Sequence, residues 1–364
     1  MRKLIFCIVS VAAAALALVA CNKELTPGGD SQLIVDWQSA GATKASKPLE
    51  GNEGTINSLV IYVFDHNGML DIAHTCTTDE INAKSASVDV KTGMKTVYAV
   101  ANLLGEHLAA ANACTTLAQL KGVALSLSDN TLSNFVMVGH GTKDHQSTNA
   151  STPVQLDLYH PVAKVRLGGV TNNLPAPYGA MTVKQVFLCN IVGNQVIGGF
   201  NDPSPVSFEK SWLNKSGTDG DGTDKEYTIG RGTHAAAVPA LTYHALSEAV
   251  SNGGSVALNK LMYAMPNSST AEYNGYPATF SPTASVLMVV ITILGKDYYY
   301  PVSLYKPGFI DSLASNTDYT INLTVKGLGN TYEDGPFKRI VKETLVANVD
   351  VAPWTGVDAY TETI

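Results

Sequence analysis

The sequence predicts an all-β chain, two tandem β-sandwich domains with minor short helices. Three observations carry that expectation. Apolar runs of strand length recur throughout, turn residues separate them, and only 15% of the 364 residues are charged, with 31 glycines among abundant Val, Thr, Ser and Tyr. β-branched and aromatic residues suit a pleated, half-buried surface. Short apolar runs bounded by Gly, Pro and Asn are strand signals.

The chain opens differently. Arg2 and Lys3 precede residues 4–20, an uncharged run rich in Ala, Val, Leu and Ile. That is the layout of a secretory signal, removed before folding. Leu18-Val19-Ala20-Cys21 resembles a bacterial lipobox, which is cut before the cysteine so that the cysteine carries acyl chains. Each buried methylene of such a chain contributes about 0.8 kcal/mol, so several chains on Cys21 hold a protein at a membrane without a spanning helix. Loss of residues 1–20 removes two cations and no acid, which moves the formal charge from −7 to −9. An acidic chain is a poor partner for nucleic acid. No later segment has the roughly 20 apolar residues of a transmembrane helix. Cys76, Cys114 and Cys189 remain, with no CxxC pair, and are expected to be free and mostly buried.

Along the chain, Leu33, Val35 and Trp37 alternate on one face of a first strand. Residues 41–55 (GATKASKPLEGNEGT) read as an exposed linker. Residues 56–64 (INSLVIYVF) are apolar on both faces, as in a central strand covered on both sides. Asn67-Gly68 signals a hairpin turn. Residues 94–103 form a second buried strand, and residues 115–125 fit one short helix with Leu117, Leu120 and Val123 on its stripe. The strongest later strands are residues 183–192 and 285–294. Tyr319, Ile321, Leu323 and Val325 alternate with polar residues, and so do Leu345, Ala347, Val349 and Val351. Short strands between Gly- and Pro-rich turns argue for sandwiches. The boundaries expected are 1–20 for the signal, 21–55 for a lipidated segment with a removable strand and cleavage linker, 56–160 for the first sandwich, and 161–364 for the second.

Several of these segments together resemble the Bacteroidales-type fimbrillins, the lipoprotein precursors of type V pili. SLVIYVFDHNGML resembles their first core strand, TVYAVANL a strand ending in an Ala-Asn pair, and FVMVGHG a Met-x-Gly segment. LYHPVAKVRL resembles the strand with Val-Ala-Lys-Val at the domain junction, although His160-Pro161 stands where an Arg or similar residue is usual. LMYAMPN, YYYPVSL and NTDYTINLTVKGLG follow in the order of the second domain, and VDVAPWTG resembles the C-terminal strand. Each motif alone mainly reports a buried strand. Their order over some 300 residues behind a lipobox gives the resemblance its specificity.

The resemblance implies two transthyretin-like sandwiches and a mode of assembly. Precursors reach the cell surface as lipoproteins, a protease cuts an N-terminal loop, a strand leaves, and a C-terminal strand of another subunit fills the groove. An edge strand that leaves exposes apolar surface and unpaired backbone groups, and an incoming strand satisfies both. The removable strand is expected at Leu33, Val35 and Trp37. The donor is expected at Leu345, Ala347, Val349 and Val351, with Val357, Tyr360 and Ile364 as further anchors. The arginine-specific cut usual in the family has no target here, because no Arg lies between Arg2 and Arg166. Lys47 precedes Pro48, which leaves Lys44-Ala45 as the candidate cleavage site.

Other signals weigh less. Asp219, Asp221 and Asp224 miss the ligand spacing of a calcium loop. His140 and His145 with Asp144 have too few neighbours for zinc and read as a surface loop. Asp311-Ser312-Leu313 fits a short O-glycosylation motif. Tyr298–Tyr300 is the only aromatic cluster, and alternation should bury part of it. No GxSxG, HExxH or P-loop is present. No catalytic residue, metal or cofactor is expected. The expectation is a structural, non-enzymatic pilus subunit at the outer membrane and cell surface that supports adhesion. Its partners would be other copies of itself, related pilus subunits, a maturation protease and, through the precursor's lipid, the outer membrane. The alternatives are an anchor, tip subunit or non-polymerising adhesin of the same fold, and, further off, an exported glycan-binding protein or enzyme.

Overall fold

The computed structural model describes residues 32–39, 49–146, 151–199, 202, 204–213, 238–268, 280, 283–304, 311–340, 344–353 and 360–363. Strands dominate, and they form two sandwiches.

The N-terminal sandwich contains β1 (Gln32–Ser39), β2 (Leu59–Phe64), β3 (Leu70–Thr75), β4 (Ser85–Asp89), β5 (Gly93–Ala101), β6 (Ala124–Ser126), β7 (Met137–His145) and β8 (Ser151–Leu158). One sheet has the order β4-β1-β8 and the facing one β3-β2-β5-β7. Leu33, Val35, Trp37, Ile61, Val63, Val97, Ala99, Val154 and Leu156 share the core between them. All six residues of β2 are buried, because Val60, Tyr62 and Phe64 on its other face belong to a second core. That double burial is the reason this strand shows no alternation. The turn into β3 uses Gly68 at φ +75°, a left-handed conformation glycine adopts without strain.

Three short helices cover this unit: α1 (Thr78–Ala83), α2 (Gly105–Asn112) and α3 (Leu117–Lys121). The helix expected within residues 115–125 is therefore shorter than that window. Thr116 caps it reciprocally with Gln119, and Gly122 ends it, so that β6 starts at Ala124. Leu120 and Val123 are buried as expected. Helix α1 has its own capping box, Thr77 with Glu80, a signal at the S/T-x-x-E spacing that the alternation pattern hides.

Two of the recognised motifs acquire physical reasons. Asn102, of the Ala-Asn pair, is fully buried at φ +61°. Its Oδ1 accepts from the N–H groups of Asn57 (2.7 Å) and Ser58 (3.2 Å), and its Nδ2 donates to the carbonyls of Thr55 (2.7 Å) and Phe135 (2.8 Å). One side chain thus joins the start of β2, the end of β5 and the approach to β7. Gly139, of the Met-x-Gly segment, lies where β7 crosses β8: a Cβ there would sit 2.6 Å from the Asp157 carbonyl oxygen.

The C-terminal sandwich contains β9 (Ala163–Asn172), β10 (Met181–Cys189), β11 (Ile191–Val192), β12 (Asn194–Val196), β13 (Trp212–Leu213), β14 (Tyr243–Val250), β15 (Ser255–Ala264), β16 (Asn267–Ser268), β17 (Val286–Ile293), β18 (Lys296–Ser303), β19 (Asp311–Leu313), β20 (Thr317–Val325), β21 (Leu345–Pro353) and β22 (Tyr360–Thr363). Its main sheets have the orders β15-β9-β20-β21-β22 and β14-β10-β17-β18. The two strongest apolar runs, β10 and β17, pair antiparallel at its centre. The first run ends earlier than expected, at Cys189, where Asn190 takes φ +54° and breaks the strand. Tyr319, Ile321, Leu323 and Val325 point into the core as their alternation requires. Tyr299 and Tyr300 are buried and Tyr298 partly so. β12 pairs with β6 across the two sandwiches.

Candidate strand-exchange site

β1 is not the edge strand the sequence reading expected. It lies in the middle of its sheet, antiparallel to β4 over Gln32–Asp36 and parallel to β8 over all eight residues. The parallel partner is possible because over a hundred residues separate the two strands, ample for a crossover. Leu33 and Val35 are fully buried and Trp37 is 2% exposed. Polar side chains tie the outer face. Gln32 donates to Asp89 (3.2 Å) and accepts from Ser87 (2.7 Å), and Gln38 donates to Asp157 (2.7 Å). β1 is held by pairing on both sides, yet no short hairpin joins it to either neighbour. Its loss would leave a groove walled by the unpaired backbones of β4 and β8 and floored by three apolar pockets. Fully burying each of those side chains is worth roughly 1.5–3 kcal/mol.

The donor candidates lie in β21, which pairs antiparallel with β20 from Leu345↔Val325 to Pro353↔Thr317. Leu345, Ala347 and Val349 are buried at 8, 8 and 6% exposure, and Val351 is half-buried. In this conformation they pack in their own sandwich. β22 pairs with β21 through Val351↔Tyr360 to Asn348↔Thr363 and forms the sheet's edge. Cys21, Lys44, Ala45, Val357 and Ile364, and the Asp219–Asp224 loop, lie outside the described residues, and of Tyr360 only the backbone is described.

The linker reading holds for less of the chain than expected. From Leu49 onward the chain is packed, because its acids reach buried cations of β9. Glu53 is 1% exposed and accepts from Lys164 Nζ (3.0 Å), from the Tyr263 hydroxyl (2.7 Å) and from the N–H of Glu50 (2.8 Å). Lys164 also faces Asp318 (3.4 Å) and Glu50 (3.7 Å), and Arg166 pairs with Glu50. Burial raises the Glu50 carboxyl, but Arg166 and Lys164 overcome it and hold the group below its ordinary value. His160, buried where the resemblance led to an Arg, donates from Nε2 to the Glu53 carbonyl (2.8 Å). Burial depresses its pKa. Sequence reasoning missed this cluster, since nothing local pairs Glu53 with a lysine 111 positions away.

His140 and His145 lie on β7, not in a surface loop, because the strand continues through Lys143 and Asp144 in register with β5. Five positions apart, they face opposite sides of the sheet. His140 sits 5.5 Å from the Tyr98 ring, and buried His145 bonds Thr152 (3.0 Å). Cys76, Cys114 and Cys189 are free and buried. Among the described residues, one set of potential metal ligands converges: His74, Cys76 and Glu80. Asp311-Ser312-Leu313 forms the short strand β19, paired with β16.

Residues 33–158 match the family described as the major fimbrial subunit protein (FimA). No curated protein matches the chain in sequence. Solved structures share the fold along nearly the whole length. A candidate cell adhesion protein from Bacteroides eggerthii superposes with a TM-score of 0.61 at 20% identity, covering 91% of this chain and 99% of that one. A fimbrilin from Porphyromonas gingivalis gives 0.58 at 14% identity, with 91% and 99% covered. A second candidate cell adhesion protein, from Parabacteroides distasonis, gives 0.58 at 16%, with 89% and 99% covered. The family match runs from Leu33 in β1 to Leu158 at the end of β8, so the chain is similar to fimbrial subunits over the sandwich that holds β1.

Proposed function

We propose that this chain is a structural subunit of a cell-surface pilus that supports adhesion, made as a lipoprotein on Cys21 and assembled by strand exchange. The observation that carries the reading is the placement of β1 in a sandwich matched by the fimbrial subunit family: it sits mid-sheet, with Leu33, Val35 and Trp37 buried, and the chain runs from it into the rest of that sandwich through residues 40–48. One cut there, with Lys44-Ala45 as the candidate, leaves β1 held to β4 and β8 by non-covalent pairing alone and so free to exchange. Two strand walls then offer N–H and C=O groups to an incoming strand, and alternate pockets accept its side chains. The C-terminal segment supplies apolar residues at that period, Leu345, Ala347, Val349 and Val351. Withdrawing β21 strips core residues from its own sandwich, whereas edge strand β22 pairs on one side only, with β21. The partners in this reading are further copies of the chain, related pilus subunits, a maturation protease and, for the precursor, the outer membrane. The chemistry is lipidation, cleavage and strand exchange, with no catalytic residue.

A second reading, a permanent anchor of the same fold, draws support from the tight hold on β1 and from the lack of an arginine between Arg2 and Arg166. The N-terminus and intact mass of the native surface protein separate the two. An unlipidated chain starting near Ala45 supports the polymerising subunit. A mass of lipidated Cys21 onward overturns it in favour of the anchor.

A further inference from the structure

We propose that His74, Cys76 and Glu80 form a site for a zinc-class divalent cation at the rim of the β1 groove. The three come from one turn of chain. His74 lies near the end of edge strand β3, and Cys76 follows two residues on, hence on the same face. The chain then turns at Thr77 into α1, whose third residue is Glu80. Their ligand atoms all lie within 4.8 Å of one another. Ligands of a tetrahedral zinc ion stand about 3.5 Å apart, given bonds of about 2.0–2.3 Å. Closure by about 1 Å suffices, and His74 and Glu80, 27 and 23% exposed, have room to rotate.

The donor set selects the ion. One nitrogen, one sulfur and one carboxylate oxygen suit a borderline cation; calcium and magnesium require oxygen throughout. Three protein ligands leave a fourth position for water. The carboxylate is also pre-oriented. Glu80 Oε2 accepts from the N–H (2.6 Å) and hydroxyl (2.9 Å) of Thr77, which leaves Oε1 toward His74 Nε2 at 2.9 Å. Such outer hydrogen bonds fix a metal ligand's direction. The backbone N–H of Cys76 donates to the Leu59 carbonyl (2.9 Å), which anchors the sulfur from behind.

Binding exchanges one proton for one metal–sulfur bond. The thiol releases its proton to solvent, the thiolate sulfur donates to the cation, and neutral His74 donates through Nε2. Loading therefore releases a proton, as it does wherever a thiol becomes a metal ligand. Its position gives it a role: β3 belongs to one sheet, and α1 leads into β4 of the facing sheet, the strand that pairs with β1. A cation there fastens the two sheets at the groove's rim. The inference stands whether or not the chain polymerises.

The test titrates the purified full-length protein with Co²⁺, followed by Zn²⁺. The expected result is a thiolate-to-cobalt charge-transfer band saturating at one ion per chain, displaced by Zn²⁺ and lost in Cys76→Ser. His74→Ala should weaken binding roughly 10-fold or more, with the fold checked by circular dichroism. A wild-type protein that shows no such band overturns the site. So does a band of equal strength in Cys76→Ser, which would place the metal on another thiol.

Discussion

Glu53 and Lys164 meet at 3.0 Å with side chains 1 and 0% exposed, although 111 positions separate them in the chain. The contact fastens the segment just after the candidate cleavage region to the first strand of the C-terminal sandwich. A cut at Lys44-Ala45 would leave this fastening intact, so the new N-terminus would start a few residues from a fixed point.

Removing the cation from this cluster should cost more than removing one acid. Lys164→Met takes from buried Glu53 and Asp318 the cation they share, whereas Glu53→Gln leaves Lys164 facing Asp318 and Glu50. Breaking a buried pair costs about 3–5 kcal/mol. Urea unfolding should place Lys164→Met in that range and Glu53→Gln below it. Equal losses would show that the cluster does not act as a unit.

His160 makes stability depend on pH in a definite window. Its pKa lies below the ordinary value of about 6.5, chiefly because it is buried. Below that value the unfolded chain binds a proton that folded His160 refuses, so stability falls as pH drops from about 7 to 5. His160→Gln keeps a donor for the Glu53 carbonyl and should flatten the midpoint over this interval. The Glu50 contribution, also lost on acidification, lies lower, beneath the carboxylate's ordinary value.

Asn102→Ala should destabilise the N-terminal sandwich by about 3 kcal/mol or more. Four hydrogen bonds are lost at about 1 kcal/mol each, the carbonyl of buried Phe135 loses this donor, and alanine takes φ +61° poorly. Asn102→Gly, which relieves the backbone but not the hydrogen bonds, should recover about 1 kcal/mol of that loss. Thermal unfolding of the two variants checks the order.

Cys76 reports on β1. It shares the inter-sheet core with Leu33, Val35 and Trp37, and its thiol is held up to about 12, mostly by burial. In the intact chain it should resist alkylation near neutral pH. After cleavage and loss of β1 it should react well before Cys189, which is fully buried in the other sandwich. Mass spectrometry of time-quenched samples reads this directly; unchanged protection of Cys76 after β1 departs would contradict the groove.

Deleting residues 345–364 should abolish polymers while export continues. Because β21 buries Leu345, Ala347 and Val349 in its own sheet, the truncated monomer should also be less stable than the full chain. A truncation at residue 353 separates the effects: it keeps β21 and removes β22 and the tail. If polymers form normally without 345–364, the donor assignment fails.

What the sequence determined by itself was local. Alternation at β20 and β21, double-sided apolarity at β2, and the Asn67-Gly68 turn each follow from which residues lie within a few positions of one another, and period-two patterning sends them to fixed faces. The order of such segments behind a lipobox also carried the family resemblance. What only the tertiary structure decided depends on strands and charges far apart in the chain. The alternation of Leu33, Val35 and Trp37 is the same at an edge as between β4 and β8, because side-chain period carries no information about how many neighbours a strand has. Glu53 reads as a linker charge until Lys164 arrives from the other sandwich. His74, Cys76 and Glu80 lie close in sequence, yet a turn and a helix cap had to bend the chain before their donor atoms converged. Partnering and convergence are properties of the assembled core, where burial and low dielectric make a distant charge worth more than any nearby residue.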